Sequence, residues 1–275
     1  MLSHNLIADF TPISACKSLI YLDLEFNLIK QPGQLERLKY FQKLNLADNK
    51  IEEINSITQP ALEWLNLNNN YISTLQSPGG THMLSNETLP LLKTLELRGN
   101  KLATIEDLSQ MRKLEKLFLA QNKFVNLEGI EKFTNLKVLH LRSNLIKRIV
   151  MDNLSSLKAL EYLNLRGNYL RRFSDLQAFD TLPSLKRLNI MENPIAEKED
   201  YRQCAVAIIK RLKILDKERI SKSERKEALE YIETKDFAEE DAVANQEEAQ
   251  QEIEDDQKEE EDQKDEEDQQ DEDDE

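Results

Sequence analysis

One spacing of apolar residues recurs along most of this chain: Leu, two residues, Leu, one residue, Leu, two residues, Asn, one residue, and then Leu, Ile or Phe. The first copy consists of Leu19, Leu22, Leu24, Asn27 and Ile29. Seven further copies are marked by their asparagines, at Asn49, Asn70, Asn100, Asn122, Asn144, Asn168 and Asn193. The alternation of leucines predicts one short strand per copy, and its inward leucines become buried only when neighbouring copies stack.

The distance between copies limits what each can contain. Successive asparagines lie 22, 21, 30, 22, 22, 24 and 25 residues apart. A period near 22 is typical of a leucine-rich repeat, with room for a strand, a turn and a short helical segment. The predicted fold class is therefore α/β, a leucine-rich-repeat solenoid with a curved parallel sheet on the concave side and short helical or 3₁₀ segments on the convex side. As in such proteins generally, we expect each asparagine to turn its amide inward onto backbone groups.

Two places depart from the regular period. Counting 22 residues back from Asn27 reaches Asn5, which indicates a partial repeat that begins at Leu2. The sequence shows no polar cap over that repeat, so we expect either further chain before residue 1 or a partner that covers this end. The 30-residue interval contains Ser77-Pro78-Gly79-Gly80, which predicts a loop outside the sheet, either a simple insertion or a contact loop.

The pattern changes after the last asparagine. Residues 1–195 are predicted to form the solenoid, with a partial first repeat plus eight repeats. Apolar residues spaced by three and four then predict a C-terminal helical cap within 196–221, namely Ala205, Ile208, Ile209 and Leu212. Residues 222–237 predict an exposed amphipathic helix, whose narrow apolar stripe either lies on the cap or binds a partner. Residues 238–275 are rich in Glu, Asp and Gln and predict a disordered acidic tail.

The net charge of −15 conceals two regions of opposite sign. From Glu239 onward, 22 Asp and Glu face two Lys, a local charge of −20, so the preceding residues carry +5. Cys16 and Cys204 lie at opposite ends of the solenoid, which does not fit a secreted disulfide framework. The first ten residues do not resemble a signal peptide, and no apolar run approaches membrane-spanning length. A reducing intracellular compartment and no membrane partner are therefore expected.

The strand residues that alternate with the leucines should project from the concave face. This face is acidic to neutral at its N-terminal end, while arginines and aromatic residues share its C-terminal end. Arginine beside aromatic residues is typical of the centres of protein interfaces. The predicted protein-binding residues are Tyr21, Trp64, Arg98, Phe118, His140, Arg142, Tyr162, Arg166 and Arg187.

Other classes of function receive less support. A basic face with aromatic residues could suit RNA, but a charge of only +5 followed by an acidic tail argues against nucleic acid as a partner. The sequence has no phosphate-binding glycine loop, no paired Cys or His at metal-ligand spacing and no nucleophile elbow. His140 is better explained as a contact residue than as a general base. We therefore predict no enzyme activity, no catalytic or metal site and no cofactor.

Several stretches resemble the leucine-rich-repeat radial-spoke proteins of motile cilia, from about Leu2 to Ile232. They are Leu95–Asn100, Leu117–Asn122, Leu139–Asn144, Tyr162–Asn168 and the closure from Tyr201-Arg202-Gln203 to Leu215-Asp216-Lys217-Glu218. This resemblance implies a structural component of the ciliary or flagellar axoneme, within the cytoskeleton, that binds other proteins of the third radial spoke in a large complex. A capped solenoid with an acidic tail also resembles the acidic leucine-rich nuclear phosphoproteins. The alternative is therefore a histone-binding or phosphatase-regulating protein.

Overall fold

The repeats build one continuous sheet. The computed structural model describes residues 2–32, 35–54, 57–76, 83–233, 237, 241–246 and 249–250. Within them the strands follow one another in chain order, parallel from β1 to β9, with β10 antiparallel to β9. They are β1 Tyr21–Asp23, β2 Lys43–Asn45, β3 Trp64–Asn66, β4 Thr94–Glu96, β5 Lys116–Phe118, β6 Val138–His140, β7 Tyr162–Asn164, β8 Arg187–Asn189, β9 Ile214–Leu215 and β10 Glu218–Arg219.

Short helical segments form the opposite, convex layer. The 3₁₀ helices are Thr11–Ala15, Glu106–Leu108, Ile130–Lys132 and Pro194–Glu197, and the α-helices are α1 Met151–Leu154, α2 Ser174–Asp180, α3 Tyr201–Ile208 and α4 Lys222–Ile232. The core lies between the two layers, since the central leucine of every strand from β1 to β8 is buried against apolar side chains from the convex segments. The predicted leucine-rich-repeat solenoid, with its sheet, convex segments and C-terminal helical cap, is confirmed.

The recurring asparagines join successive repeats, as predicted. Asn122 is typical: its Nδ2 donates to the carbonyl oxygens of Leu97 in the preceding repeat, at 2.9 Å, and of Leu119 in its own, at 3.1 Å. Its Oδ1 accepts from the backbone N–H of Leu102 at 3.0 Å. Equivalent bonds recur from Asn27 to Asn193. This asparagine ladder satisfies backbone groups at the bend of each repeat and fixes the relative position of neighbouring strands.

The N-terminal residues stack on the sheet as a partial repeat. The backbone N–H groups of Leu2 and His4 donate to Asp23 and Glu25, each at 2.9 Å. Asn5 Nδ2 donates to the Leu2 carbonyl at 3.1 Å, the same bond that the ladder asparagines make within their own repeats. The predicted loop Ser77-Pro78-Gly79-Gly80 lies outside the described residues, so its projection from the sheet stays a prediction.

The C-terminal end adds two strands that the sequence analysis did not predict. Strands β9 and β10 lie within the segment assigned to the helical cap and extend the sheet by a hairpin. A strand of two residues has too few positions to show a period. Asp216 fixes this end, because its carboxylate accepts from the Ile190 N–H at 2.8 Å and from the Tyr201 hydroxyl at 2.6 Å.

Helix α4 packs on the cap, which decides between the two alternatives for its apolar stripe. Ala228 is fully buried, and the Arg225 guanidinium donates to the Val206 carbonyl of α3 at 2.7 Å. Leu229 stays 41% exposed. The segment predicted as an exposed helix is therefore amphipathic, with one face on α3 and the other in solvent. None of the described helices is both long and apolar enough to cross a membrane.

The structure differs from the predicted disordered tail, 238–275, at its beginning. Residues 241–246 are helical and lie on the convex side. Asp241 accepts from the backbone N–H of Phe173 at 3.0 Å, Ala244 is buried, and the rings of Phe237 and Phe173 lie 5.2 Å apart. These few apolar side chains supply the burial that the following acidic residues lack. Residues 251–275 lie outside the described residues.

Candidate protein-binding surface

The parallel register arranges the concave side chains in rows. Across adjacent strands, Phe118 lies beside His140, and Val138 beside Tyr162, because each residue pairs with its counterpart one repeat later. Neighbouring strands are about 4.8 Å apart, so side chains in one row are within contact distance. Residues far apart in sequence thereby form one continuous face.

An aromatic and cationic patch occupies the C-terminal half of this face. The Phe118 and His140 rings stack with centroids 4.8 Å apart, and the His140 and Tyr162 rings are nearly perpendicular with centroids 4.9 Å apart. The Arg187 guanidinium lies 4.4 Å from the Tyr162 ring centroid. We call Phe118, His140, Tyr162 and Arg187 the aromatic patch. Since three of them are only half-buried and Arg187 is exposed, part of each side chain remains accessible to a partner.

A shallow depression borders the aromatic patch. Its volume is about 270 Å³, and Phe118 and His140 both line it. Arg98 and Arg142 project on either side of Ala120, whose small side chain leaves a gap that we call the arginine notch. Arg98 donates from Nε to Gln121 Oε1 at 2.8 Å, which leaves the outer nitrogens of its guanidinium available.

Three of the nine predicted residues differ from this group, two in position and one in its pairing. Tyr21 and Trp64 form their own pair on β1 and β3, with ring centroids 6.5 Å apart. Trp64 is linked to the notch only through Glu96, which accepts from its indole Nε1 at 2.8 Å. Arg166 forms an ion pair with Glu192, so its charge is compensated within the chain. The other six lie together.

Sequence reasoning missed the structural role of the middle position in several strands. Asp23, Asn45, Asn164 and Asn189 alternate with leucines and were expected to project into solvent, but all four are buried. Each accepts a hydrogen bond from the backbone N–H two residues later, as Asn164 does from Arg166 at 3.1 Å. The preference of Asp and Asn for such local bonds was the available signal. Phe118 and His140 occupy the same middle position in β5 and β6, but they do not have this structural role.

The environment of His140 keeps its imidazole neutral. Burial lowers the pKa of His140 below its ordinary value of 6.5, and the nearby positive charge of Arg187 lowers it further. A neutral imidazole stacks on Phe118 without the desolvation cost of a cation. Because the unfolded chain binds this proton more readily, the contribution of His140 to stability declines as the pH falls below 6.5.

We predict that the NMR titration midpoint of His140 lies below 6.5 in the full chain and rises in Arg187→Gln. The rise should be partial, since burial remains the main cause. Arg112→Gln, which changes an exposed arginine away from the face, should leave the midpoint unchanged. A midpoint that does not respond to Arg187→Gln would contradict the electrostatic coupling.

The surface has the features of a contact site. Its prominent groups are guanidinium groups and aromatic rings, with a neutral histidine between them. Within the part of the chain that the structure describes, no three His, Cys, Asp or Glu side chains come together as a metal site would require.

Comparison with known proteins identifies the repeat. A family model described as Leucine-rich repeat matches residues 86–244, more than half of the chain. The chain belongs to the leucine-rich repeat family. A solved leucine-rich-repeat structure of similar shape is internalin C2 from Listeria monocytogenes, with a TM-score of 0.54, 21% identity and coverage of 71% of this chain and 79% of that one. This likeness supports the fold alone.

Two relatives of the chain have names that refer to leucine-rich repeats or to an axonemal role. The chain is 35% identical over 216 residues to "Leucine-rich repeat-containing protein 23" from Bos taurus, which confirms the resemblance to that protein. The match covers 78% of this chain and 60% of the bovine protein, so the chain spans little more than half of that relative. "Dynein axonemal assembly factor 11" from Mus musculus is 35% identical over 133 residues, 40% of this chain and 28% of that protein. The fold and these relatives support a protein-interaction scaffold.

Proposed function

We propose that this chain is a non-enzymatic scaffold of the ciliary axoneme that binds proteins of the third radial spoke through its concave face and its ends. The contiguous aromatic patch carries the interaction part of this proposal. Its rings contact one another across β5, β6 and β7, and a guanidinium completes the patch on β8. Large rings and arginines dominate the energetics of protein interfaces, and here they form one contiguous surface.

The axonemal part of the proposal rests on the relatives. One relative, from mouse, is a dynein axonemal assembly factor by name, and the other is the protein whose repeats this chain resembles over most of its length. The third radial spoke, the concave face as its binding surface and the location in cilia are our proposals for this chain. Assembly into a large complex follows from the same proposal, because an elongated solenoid offers several separate surfaces.

Catalysis has no part in this proposal. The described concave face presents arginines and aromatic rings where an enzyme would place a nucleophile beside a base. Binding to nucleic acid is also excluded from the proposal, since the negative charge of the C-terminal residues would compete for the same arginines.

A localisation experiment with matched variants tests the proposal. The full chain, fused to a proximity-labelling enzyme, is expressed in multiciliated cells as wild type, as Arg142→Glu with Tyr162→Ala, and as Arg112→Glu with Tyr40→Ala. The control pair changes the same residue types away from the concave face, where Arg112 is exposed and Tyr40 is 64% exposed.

We expect wild type and the control pair to reach axonemes and label radial-spoke proteins. The Arg142→Glu and Tyr162→Ala pair should lose about tenfold or more of that labelling, since hot-spot residues contribute about 2 kcal/mol or more each. Circular dichroism checks that all three remain folded. Equal labelling by all three would refute the concave face as the interface, and nuclear localisation with labelled histones would favour the alternative.

A further inference from the structure

We infer that the arginine notch binds a carboxylate side chain of the partner, while an aromatic side chain next to that carboxylate packs on the Phe118 and His140 rings. The inference rests on the proposed function, because it specifies the partner's chemistry at the concave face. It concerns one short segment of the partner, not its whole interface.

The spacing of the notch suits a carboxylate. Arg98 and Arg142 follow β4 and β6, with Ala120 after β5 between them, so their backbones are separated by about 10 Å. Two long side chains that project from a concave surface over a small residue leave space for one carboxylate between their guanidinium groups. Guanidinium groups bind carboxylates through paired, charge-assisted hydrogen bonds, which fix orientation as well as charge.

The charges around the notch favour an acidic partner. Arg98 and Arg142 supply the positive charge, and within the described residues the Arg142 guanidinium makes no hydrogen bond, although Glu192 acts on it electrostatically as well as on Arg166. Among the described residues, Glu96 is the one acid that lines the depression, and its two oxygens accept from Trp64 at 2.8 Å and from Asn68 at 3.0 Å. Because an acidic side chain already lines the depression, the site suits a singly charged carboxylate better than a phosphate with nearly two charges.

The neighbouring rings indicate which residue of the partner lies next to the carboxylate. Phe118 and His140 lie 4.8 Å apart and stacked, and the lowered pKa keeps the imidazole uncharged. Such a pair offers a weakly polar aromatic surface against which an aromatic ring of a partner packs favourably. The depression, about 270 Å³, is smaller than the typical site of a small molecule and fits one or two side chains of a peptide.

The chain's own acidic residues fit this site less well than a partner does. From residue 251 onward the sequence has many Asp and Glu but not one aromatic residue. It could supply the carboxylate but could not supply the ring. The inference therefore assigns the notch to a partner segment in which an Asp or Glu adjoins Phe, Tyr or Trp.

Peptide display tests this assignment with random sequences in place of the partner. A library of random dodecapeptides is selected on the immobilised full chain, and the enriched peptides are synthesised and measured by fluorescence anisotropy. Each is measured again with its acidic residue changed to the amide and, separately, with its aromatic residue changed to alanine. The protein variants are Arg142→Glu, Arg142→Lys and Phe118→Ala, with Arg112→Glu as the matched control outside the notch.

We expect the enriched peptides to share an acidic residue beside an aromatic one. Arg142→Glu and the acid-to-amide change should each weaken binding about tenfold or more, because a hydrogen bond to a charged group contributes more than a neutral one. Arg142→Lys should weaken binding less, since it keeps the charge but loses the paired geometry. Phe118→Ala should selectively remove the preference for the aromatic residue, and Arg112→Glu should bind as wild type does.

Three results would overturn the inference. The enriched peptides could lack acidic residues, or they could bind Arg142→Glu as tightly as wild type. The third is that selection on wild type enriches acidic and aromatic peptides no more than selection of the same library on Arg142→Glu. Failure of the proposed function looks different. Selected acidic and aromatic peptides could bind the notch although the tagged chain never reaches axonemes. Conversely, loss of axonemal labelling by the concave variant without any acidic preference among peptides would retain the function and reject the notch.

Discussion

Replacing Asn122 with alanine is expected to destabilise the chain by about 3 kcal/mol, near the upper end for loss of a buried polar partner. The carbonyls of Leu97 and Leu119 each keep one other donor, from Asn100 at 3.1 Å and Asn144 at 3.0 Å. The N–H of Leu102 loses the side-chain acceptor that lies 3.0 Å away. An unpaired buried donor, together with the small cavity left by the amide, accounts for the expected loss.

The measurement is urea unfolding of the full chain, followed by circular dichroism. Asn135→Ala is the matched control, because Asn135 is exposed and makes one side-chain hydrogen bond, to the Arg112 carbonyl at 3.1 Å. It should change the free energy of unfolding by roughly 0.5 kcal/mol or less, as surface substitutions usually do. If Asn122→Ala and Asn135→Ala had equal effects, the ladder would not be the main link between repeats.

Replacing Phe124 with alanine is expected to cost about 3–5 kcal/mol, the usual range for removal of a buried aromatic side chain. Phe124 is fully buried and follows Asn122 in the fifth repeat. The corresponding position holds an aliphatic residue in the other seven repeats, at Ile29, Ile51, Ile72, Leu102, Ile146, Leu170 and Ile195. The local packing has therefore adjusted to a larger ring, and alanine leaves a cavity that neighbouring repeats cannot fill.

Two further variants separate the cavity from other effects. Phe124→Leu should cost much less than alanine, about 1.5 kcal/mol or less, because it keeps most of the apolar volume. Val125→Ala changes the adjacent side chain, which is 52% exposed, and should be close to neutral. Since each repeat contacts only its neighbours, the alanine variant should also broaden the unfolding transition as the two halves separate. A sharp transition with a loss below that of Phe124→Leu would contradict this explanation.

The Asn122 and Phe124 substitutions are also expected to affect the concave surface. Arg98 and Arg142 lie on opposite sides of the fifth repeat, and the ladder bonds of Asn122 hold that repeat against the fourth. The width of the notch therefore depends on the stacking of repeats as well as on the arginines themselves. A scaffold of this kind achieves specificity by holding distant side chains in a fixed register.

Much of the candidate surface could be predicted from the repeat. The alternation of leucines correctly indicated that Arg98, Phe118 and His140 project from the concave side. It could not show that Arg166 is compensated by Glu192, because that pairing depends on two side chains in adjacent repeats. Nor could it show that Asn164 and Asn189 are buried, since their burial accompanies local hydrogen bonds to the backbone N–H two residues later.

The sequence by itself determined the architecture, because its spacing repeats and each short strand can bury its leucines only against its neighbours. The ladder asparagines and the helical cap followed from the same local regularity. The tertiary structure decided how the ends are covered: the β9 and β10 hairpin, the packing of α4 on α3, and the convex contact of Asp241 with Phe173. It also decided which concave arginine is compensated by an acid of the next repeat. These features arise from single contacts between residues far apart in the chain, and contacts of that kind leave no period in a sequence.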